Sequence, residues 1–132
     1  CTITKQRCQD YCPPDYHSVK LLKQDKPSMS KEWDTPIKVT FDNQSDRYLY
    51  HFWQDYSGNS VYSVGTGAGE TSYSNTYATQ PFKTYAWENG AYEFICSFEV
   101  TKALKNAEYY YTIDKDNKCH FTREEHPAAC QV

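Results

Sequence analysis

Six cysteines, divided between the two ends of a 132-residue chain, restrict the possible folds more than any other feature. They are Cys1, Cys8, Cys12, Cys96, Cys119 and Cys130. An even number of cysteines in a short chain is typical of a disulfide framework formed in an oxidising compartment. The spacings C-x6-C, C-x3-C, C-x22-C and C-x10-C lack the close pairs of a zinc site, so we expect no metal and no other cofactor.

The pairing of these cysteines is not determined by the sequence. We expect at least two N-terminal cysteines to pair with the C-terminal group, because such bridges close long loops and stabilise by roughly 3–5 kcal/mol each. A chain that begins at Cys1, without Met or an apolar leader, is typical of a secreted protein whose signal peptide has been removed. A lipidated Cys1 is the alternative. We predict a secreted, extracellular protein.

Aromatic side chains supply much of the apolar surface. Hydrophobic residues make up only 39% of the chain, but 17% is aromatic and 13 residues are tyrosine. Aromatic rings bury large areas, so one core in a single compact domain is expected. The formal charge of −3 provides no basic face for phosphates, so we expect no nucleic-acid partner. No apolar run reaches the ~18 residues of a membrane span, so none is expected.

Alternation of apolar and polar residues predicts a series of short strands. Ile37, Val39 and Phe41 alternate with polar residues, which is the period of a half-buried strand. Further strands are expected at 47–55, 60–64, 70–74, 81–87, 92–99, 108–113 and 118–122. Short strands with regular turns and no long amphipathic helix predict an all-β fold, here a single disulfide-stapled β-sandwich.

Three local features are predicted around the strand at 92–99. Asn89 and Gly90 indicate a tight hairpin before it. The alternation of Tyr92, Phe94, Cys96 and Phe98 places these four side chains on one buried face. A short helix is expected at 101–107.

The first 36 residues differ from the rest. They are polar, interrupted by proline and without a clear period, so residues 1–36 are predicted to form an irregular, disulfide-pinned arm packed on the domain. Residues 37–132 are predicted to form the sandwich. Within the arm, segment 20–23 is expected to form a turn of helix or a short strand.

Asn43 opens the one N-glycosylation sequence of the chain, Asn43-Gln44-Ser45. A glycan there would fit a secreted protein with an exposed turn. The alternative is a turn asparagine that carries no modification.

Catalytic motifs are weak in this sequence. The run Gly65, Gly67, Gly69 is followed by a strand-like segment instead of a helix, which favours turn glycines over a phosphate loop. The four histidines, together with Lys118, would suit a small secreted nuclease, and they are His17, His51, His120 and His126. An acidic chain is poorly suited to a polyanionic substrate, so we predict a protein that is not an enzyme.

The middle of the chain resembles a known family. Residues 41–47 read Phe-Asp-Asn-Gln-Ser-Asp-Arg, followed at fixed spacing by Trp53, Gly58 and Gly69. This pattern, with residues 76–82 as a following strand, resembles the β domain of the von Hippel–Lindau tumour suppressor family over about residues 36–100. The resemblance implies a β-sandwich. The family's helical domain, which docks a ubiquitin ligase, has no counterpart here.

The resemblance also implies a binding site. In the family, a pocket on the sandwich binds a hydroxylated proline in an extended peptide. Trp53 matches the pocket's tryptophan, and Thr76 is similar to its hydroxyl residue. Ser63, Gln80 and Phe82 fall on its tyrosine, histidine and second tryptophan. We therefore predict a ligand-binding surface made by Trp53, Ser63, Thr76, Tyr77, Gln80 and Phe82.

Two functional hypotheses from different classes follow. The first is a secreted, non-enzymatic binding protein that recognises an extracellular protein or peptide, with proline or hydroxyproline as a candidate feature. The second is a secreted effector or toxin-like protein, whose arm at 9–36 contacts a host or prey receptor. A small secreted hydrolase or nuclease is the third reading. The sequence leaves the oligomeric state open.

Overall fold

A computed structural model describes residues 17–124. Cys1, Cys8, Cys12, Cys130 and His126 lie outside this range, as do residues 1–16 of the predicted arm. The described chain forms nine strands: β1 (Ser18–Leu22), β2 (Pro36–Asn43), β3 (Leu49–Gln54), β4 (Ser60–Thr66), β5 (Thr71–Tyr77), β6 (Phe82–Glu88), β7 (Ala91–Lys102), β8 (Ala107–Ile113) and β9 (Cys119–Glu124).

The strands form two sheets. The five-stranded sheet has the order β1-β7-β6-β3-β4, and the four-stranded sheet has the order β5-β2-β8-β9. Strands β2 and β8 pair in parallel, whereas the other paired strands run antiparallel. No helix occurs between residues 17 and 124. The predicted all-β, two-layer fold is therefore confirmed.

The core lies between the sheets and is built from alternating positions. In β2, Ile37, Val39 and Phe41 are buried while their neighbours are half-buried, as the sequence period predicts. In the neighbouring strand β8, Tyr109 and Tyr111 lie beside Val39 and Phe41, with no more than 1% of their surface exposed. Tyrosine thus fills positions that aliphatic residues occupy in many sandwiches.

The sequence alternation places Tyr92, Phe94, Cys96 and Phe98 on one buried face of β7, but the structure buries only Cys96 and Phe98. Cys96 and Phe98 are buried, but Tyr92 is 52% exposed and lies on the opposite face. The cause is a register shift against β6, where Thr84 pairs with Cys96 and the next residue, Tyr85, pairs with Phe94. One extra residue in a strand forms a bulge, and every side chain beyond it changes face.

Two other local predictions have opposite outcomes. The hairpin at residues 88–91 is confirmed, since Asn89 and Gly90 both have positive φ, at 52° and 78°. The helix expected at 101–107 is wrong, because β7 continues to Lys102 and a turn with Asn106 at positive φ follows. Segment 20–23 contributes to β1, so this part of the arm is an edge strand of the sandwich.

A disulfide joins Cys96 of β7 to Cys119 of β9, with Cα atoms 6.7 Å apart. It links the five-stranded sheet to the four-stranded sheet. The prediction that two N-terminal cysteines pair with the C-terminal group is therefore wrong. Two of the three C-terminal cysteines bind each other, which leaves only Cys130 for such a bridge.

A tryptic digest without reduction tests this pairing. Trypsin cleaves after Lys83, Lys102, Lys118 and Arg123, so residues 84–102 and 119–123 become separate peptides. We expect mass spectrometry to find these two peptides joined, and separated by reduction. A bridge from either peptide to residues 1–12 would contradict the structure.

A histidine lies at the centre of the core. His51 of β3 is 1% exposed and stacks on Phe41, with ring centroids 3.9 Å apart. Its Nδ1 is 2.8 Å from Thr84 Oγ1, and its Nε2 is 3.0 Å from Thr66 Oγ1. Burial lowers the pKa of His51 to about 3, because the charged ring would lose its hydration.

This burial makes stability depend on pH. In the unfolded chain the pKa of a histidine is near 6.5, so below that pH the unfolded state binds a proton that folded His51 does not. We expect the free energy of unfolding to fall by about 1.4 kcal/mol per pH unit between pH 6.5 and pH 3 from this group. Urea unfolding at several pH values measures the slope.

The variant His51→Gln lacks the group that binds this proton in the unfolded chain, so its free energy of unfolding should depend less on pH. The control His120→Gln, at an exposed histidine, should keep the pH dependence of the unaltered protein. If His51→Gln does not fold, an NMR titration of the unaltered protein replaces it. An imidazole of His51 that protonates near pH 6.5 would contradict the prediction.

Candidate functional site

The structure brings the six predicted ligand-binding residues together around one cavity. The cavity has a volume of about 340 Å³ and opens at one side of the sandwich. It is lined by Trp53, Ser63, Thr76, Tyr77, Gln80 and Phe82, together with Tyr56, Val61, Tyr62, Ser74 and Asn75. Residues that are distant in sequence converge here because β4 and β5 are the edge strands of the two sheets and face each other.

Both strands beside the cavity have an unpaired side. Among the described strands, β4 pairs only with β3, and β5 pairs only with β2. An edge strand presents a row of backbone N–H and C=O groups that can pair with an added extended chain. The cavity therefore lies where the free backbone groups of β4 approach those of β5.

A buried hydrogen-bond chain forms the polar side of the cavity. Thr76 Oγ1 donates to Gln80 Oε1 at 3.1 Å. Gln80 Nε2 donates to the Tyr56 hydroxyl and to the Glu32 carbonyl oxygen, each at 2.7 Å. Both amide hydrogens of Gln80 are thus occupied, which holds its side chain in place, while the Tyr56 hydroxyl keeps its own hydrogen to donate.

Aromatic rings form the apolar side. Phe82 is 1% exposed and closes the inner end towards the core. Trp53 packs edge-on against Tyr56, with centroids 5.7 Å apart. The indole Nε1 of Trp53 is buried and has no hydrogen-bond acceptor among residues 17–124. Such an unsatisfied donor costs roughly 1–3 kcal/mol.

No charged side chain lines the cavity within the described part of the chain. Its polar groups are hydroxyls, amides and an indole N–H. This chemistry suits an uncharged ligand with a few hydrogen-bonding atoms.

Sequence reasoning missed five lining residues, of which Tyr56 matters most. Tyr56 follows Trp53 by three residues, just beyond the end of β3, and no periodicity indicates where its ring points. Its position depends on Gln80 and on Trp33, whose ring packs edge-on at 5.8 Å. Trp33 and Glu32 belong to the predicted arm, so the end of the arm lies beside the cavity.

Asn43 is not an exposed turn residue. Its side chain is 1% exposed, and its Nδ2 donates to the carbonyl oxygens of Arg47 at 2.7 Å and Thr66 at 2.9 Å. Its Oδ1 accepts from the Ser45 backbone N–H at 3.0 Å. A glycan requires the same nitrogen, so the folded structure supports the unmodified turn asparagine, and the predicted glycan does not fit.

Mass spectrometry tests this consequence. We expect protein secreted from a glycosylating host to lose no mass on treatment with an N-glycosidase. A fully occupied Asn43 in folded protein would contradict the hydrogen-bond pattern.

The described histidines do not form an acid–base pair. His17 Nδ1 lies 2.8 Å from the Tyr109 hydroxyl, His51 is in the core, and His120 Nε2 lies 3.0 Å from Asp114 Oδ2. Over residues 17–124, no three His, Cys, Asp or Glu side chains are grouped so that they could hold a metal ion. In the same range, no helix is long and apolar enough to span a membrane.

Comparison with known proteins finds no family model and no curated protein that matches the chain. Among solved structures, one match is a disulfide-locked mutant of intermedilysin with human CD59. Its TM-score is 0.35 with 10% sequence identity, over 67% of this chain. The matched part is 24% of that chain, so this chain spans about a quarter of its length. A likeness at this level carries no argument about fold or function.

Proposed function

We propose that this protein is a secreted, non-enzymatic binding protein that holds an extended segment of an extracellular protein or peptide in the cavity between β4 and β5. The observation that carries the proposal is the convergence of six residues, selected from a sequence resemblance, on one uncharged cavity. Secretion is supported by the Cys96–Cys119 disulfide, since such bonds persist in oxidising compartments.

The geometry favours an extended ligand. A peptide lying along β4 or β5 can pair with the free backbone groups of that strand, while one of its side chains enters the cavity. The aromatic walls of Trp53 and Phe82 suit an apolar ring. Proline is such a ring, and it presents no N–H that would need a partner inside the cavity.

A hydroxylated proline adds an oxygen that the cavity can use. Such an oxygen can accept a hydrogen bond from the Tyr56 hydroxyl, which keeps its own hydrogen to donate. By resemblance to the von Hippel–Lindau β domain, Trp53 and Thr76 are the two positions that keep the family's chemistry. Extracellular collagens contain much hydroxyproline, which makes them the first ligand class to test.

Peptides of one sequence, with proline or 4-hydroxyproline at a single central position, test the proposal. We expect the hydroxyproline peptides to bind, and the variant Trp53→Ala to weaken binding by roughly 2 kcal/mol or more, which is about thirtyfold. Calorimetry or fluorescence anisotropy measures the affinity. The matched control is Trp87→Ala, at a half-exposed tryptophan that does not line the cavity.

Two results would count against the proposal. Failure of every peptide to bind would remove the peptide class. Equal weakening by Trp53→Ala and Trp87→Ala would move the binding site away from the cavity. If proline and hydroxyproline peptides bind equally, the hydroxyl group has no role in recognition. That result would support peptide binding and contradict selectivity for hydroxyproline.

A further inference from the structure

A second surface, on the outer face of the five-stranded sheet, is covered by aromatic rings. The register shift between β6 and β7 turns Tyr92 and Phe94 outwards, and a second shift between β3 and β4 pairs Tyr62 with Phe52. Together with aromatic residues on neighbouring positions, these side chains form a continuous set of contacting rings, which we call the aromatic face. Its members are Tyr48, Tyr50, Phe52, Tyr62, Tyr85, Trp87, Tyr92 and Phe94.

Tyr92 is the centre of the aromatic face. Its ring contacts those of Tyr50, Phe52, Tyr85 and Trp87, with centroids 4.9–6.0 Å apart. Phe52, Tyr85 and Tyr92 also line a shallow cavity of about 190 Å³. Rings packed edge to face hold one another in place, so the surface is ordered before any ligand arrives.

The charges beside the aromatic face are already paired within the protein. Lys83 Nζ lies 2.6 Å from Asp25 Oδ1 at one end. At the other end, Arg47 contacts the carboxylates of both Glu88 and Glu93. Lys83 is buried and neutralised by Asp25, and the Arg47 group has two carboxylates for one guanidinium, so an anionic ligand meets no free cation among these groups. The charge pattern favours an uncharged ligand.

The size of the face favours a ligand smaller than a folded protein. Tyr48, Tyr62, Trp87 and Tyr92 are each about half exposed, at 47–52%. An aromatic side chain presents about 200 Å², so these four expose about 400 Å². A stable dimer buries about 800 Å² on each partner, so these four rings supply only about half of the area that a second copy of this chain would need.

The tyrosine hydroxyls of the aromatic face add a second requirement for a ligand, which must offer hydrogen-bonding groups as well as apolar surface. Burial raises the pKa of Tyr62 above its usual value, and burial together with the hydrogen bond to Asp25 raises the pKa of Tyr85 to about 12. Both groups are neutral at physiological pH, and because Tyr85 already donates its hydrogen to Asp25 Oδ2 at 2.9 Å, its oxygen can only accept from a ligand. A purely apolar partner would cover the remaining lone pairs of these oxygens without satisfying them, at a loss of affinity.

We infer that the aromatic face binds a short, uncharged oligosaccharide. A sugar ring presents C–H groups on its faces, which pack on aromatic rings, and hydroxyls at its edges, which bond to tyrosine. The face extends across four strands, from β7 to β4, and strands lie about 4.8 Å apart, so it spans roughly 14 Å. This length suits several consecutive sugar rings, and the binding site is separate from the proposed peptide cavity, which it meets only at Tyr62.

Electrophoresis in native gels that contain a dissolved polysaccharide tests the inference. The neutral probes are hydroxyethylcellulose, xyloglucan, galactomannan and laminarin, and the anionic probes are heparin and polygalacturonate. We expect the full chain to be retarded by at least one neutral probe, and the variant Tyr92→Ala to weaken that association at least about tenfold. Tyr92→Phe, which keeps the ring, should retain most of it.

Tyr73→Ala is the matched control, because Tyr73 is 58% exposed on the other sheet. Tyr73→Ala should leave the retardation unchanged. Trp53→Ala, which alters the peptide cavity, should also leave it unchanged, so the peptide proposal and the oligosaccharide inference can fail independently. Far-ultraviolet circular dichroism confirms that each variant is folded, and Trp87→Ala replaces Tyr92→Ala if the latter is not.

Four results would overturn the inference. They are no retardation by any neutral probe, retardation by the anionic probes alone, equal weakening in Tyr73→Ala and Tyr92→Ala, and a dimer in sedimentation that Tyr92→Ala abolishes. The last result would assign the aromatic face to a second copy of the chain.

Discussion

Two register shifts in the five-stranded sheet decide which aromatic side chains enter the core and which face outwards. Side chains alternate strictly along a strand, so one extra residue exchanges the faces of everything beyond it. In β7 the shift separates Cys96, which is buried, from Phe94, which is not. In β4 a shift lets Val61 pair with Trp53 while Tyr62 pairs with Phe52. The disulfide, the cavity and the aromatic face all depend on these two positions.

The two sides of the sandwich have different roles. On one side, the Cys96–Cys119 bridge ties β7 to β9 and holds the sheets together. On the other, β4 and β5 end their sheets without a further partner among the described strands, and the cavity opens between them. A covalent link at one side can keep the layers in place while the other side stays open to a ligand. The buried stack of His51 on Phe41 fills the space between.

Much of the candidate site follows from the sequence, but its completion does not. The spacing from Phe41 to Gly69 and the following segment 76–82 are properties of the chain, and the family resemblance they suggest pointed to Trp53 and Thr76. The positions of Tyr56 and of the end of the arm do not follow from the sequence. Both depend on hydrogen bonds with Gln80, which is 24 residues from Tyr56 and 48 residues from Glu32. Such contacts leave no period or motif in the local sequence. The burial of Asn43 has the same cause, since Thr66, 23 residues away, accepts from its side chain.

The sequence by itself determined the class of fold, the approximate strands and the use of cysteine in a disulfide. These follow from local alternation, turn residues and composition, which are encoded within a few neighbouring residues. Only the tertiary structure decided the cysteine partner of Cys96, the faces of Tyr62 and Tyr92, and the burial of Asn43. Each of these depends on which strand lies beside which and in what register, and register is set by packing across the whole core.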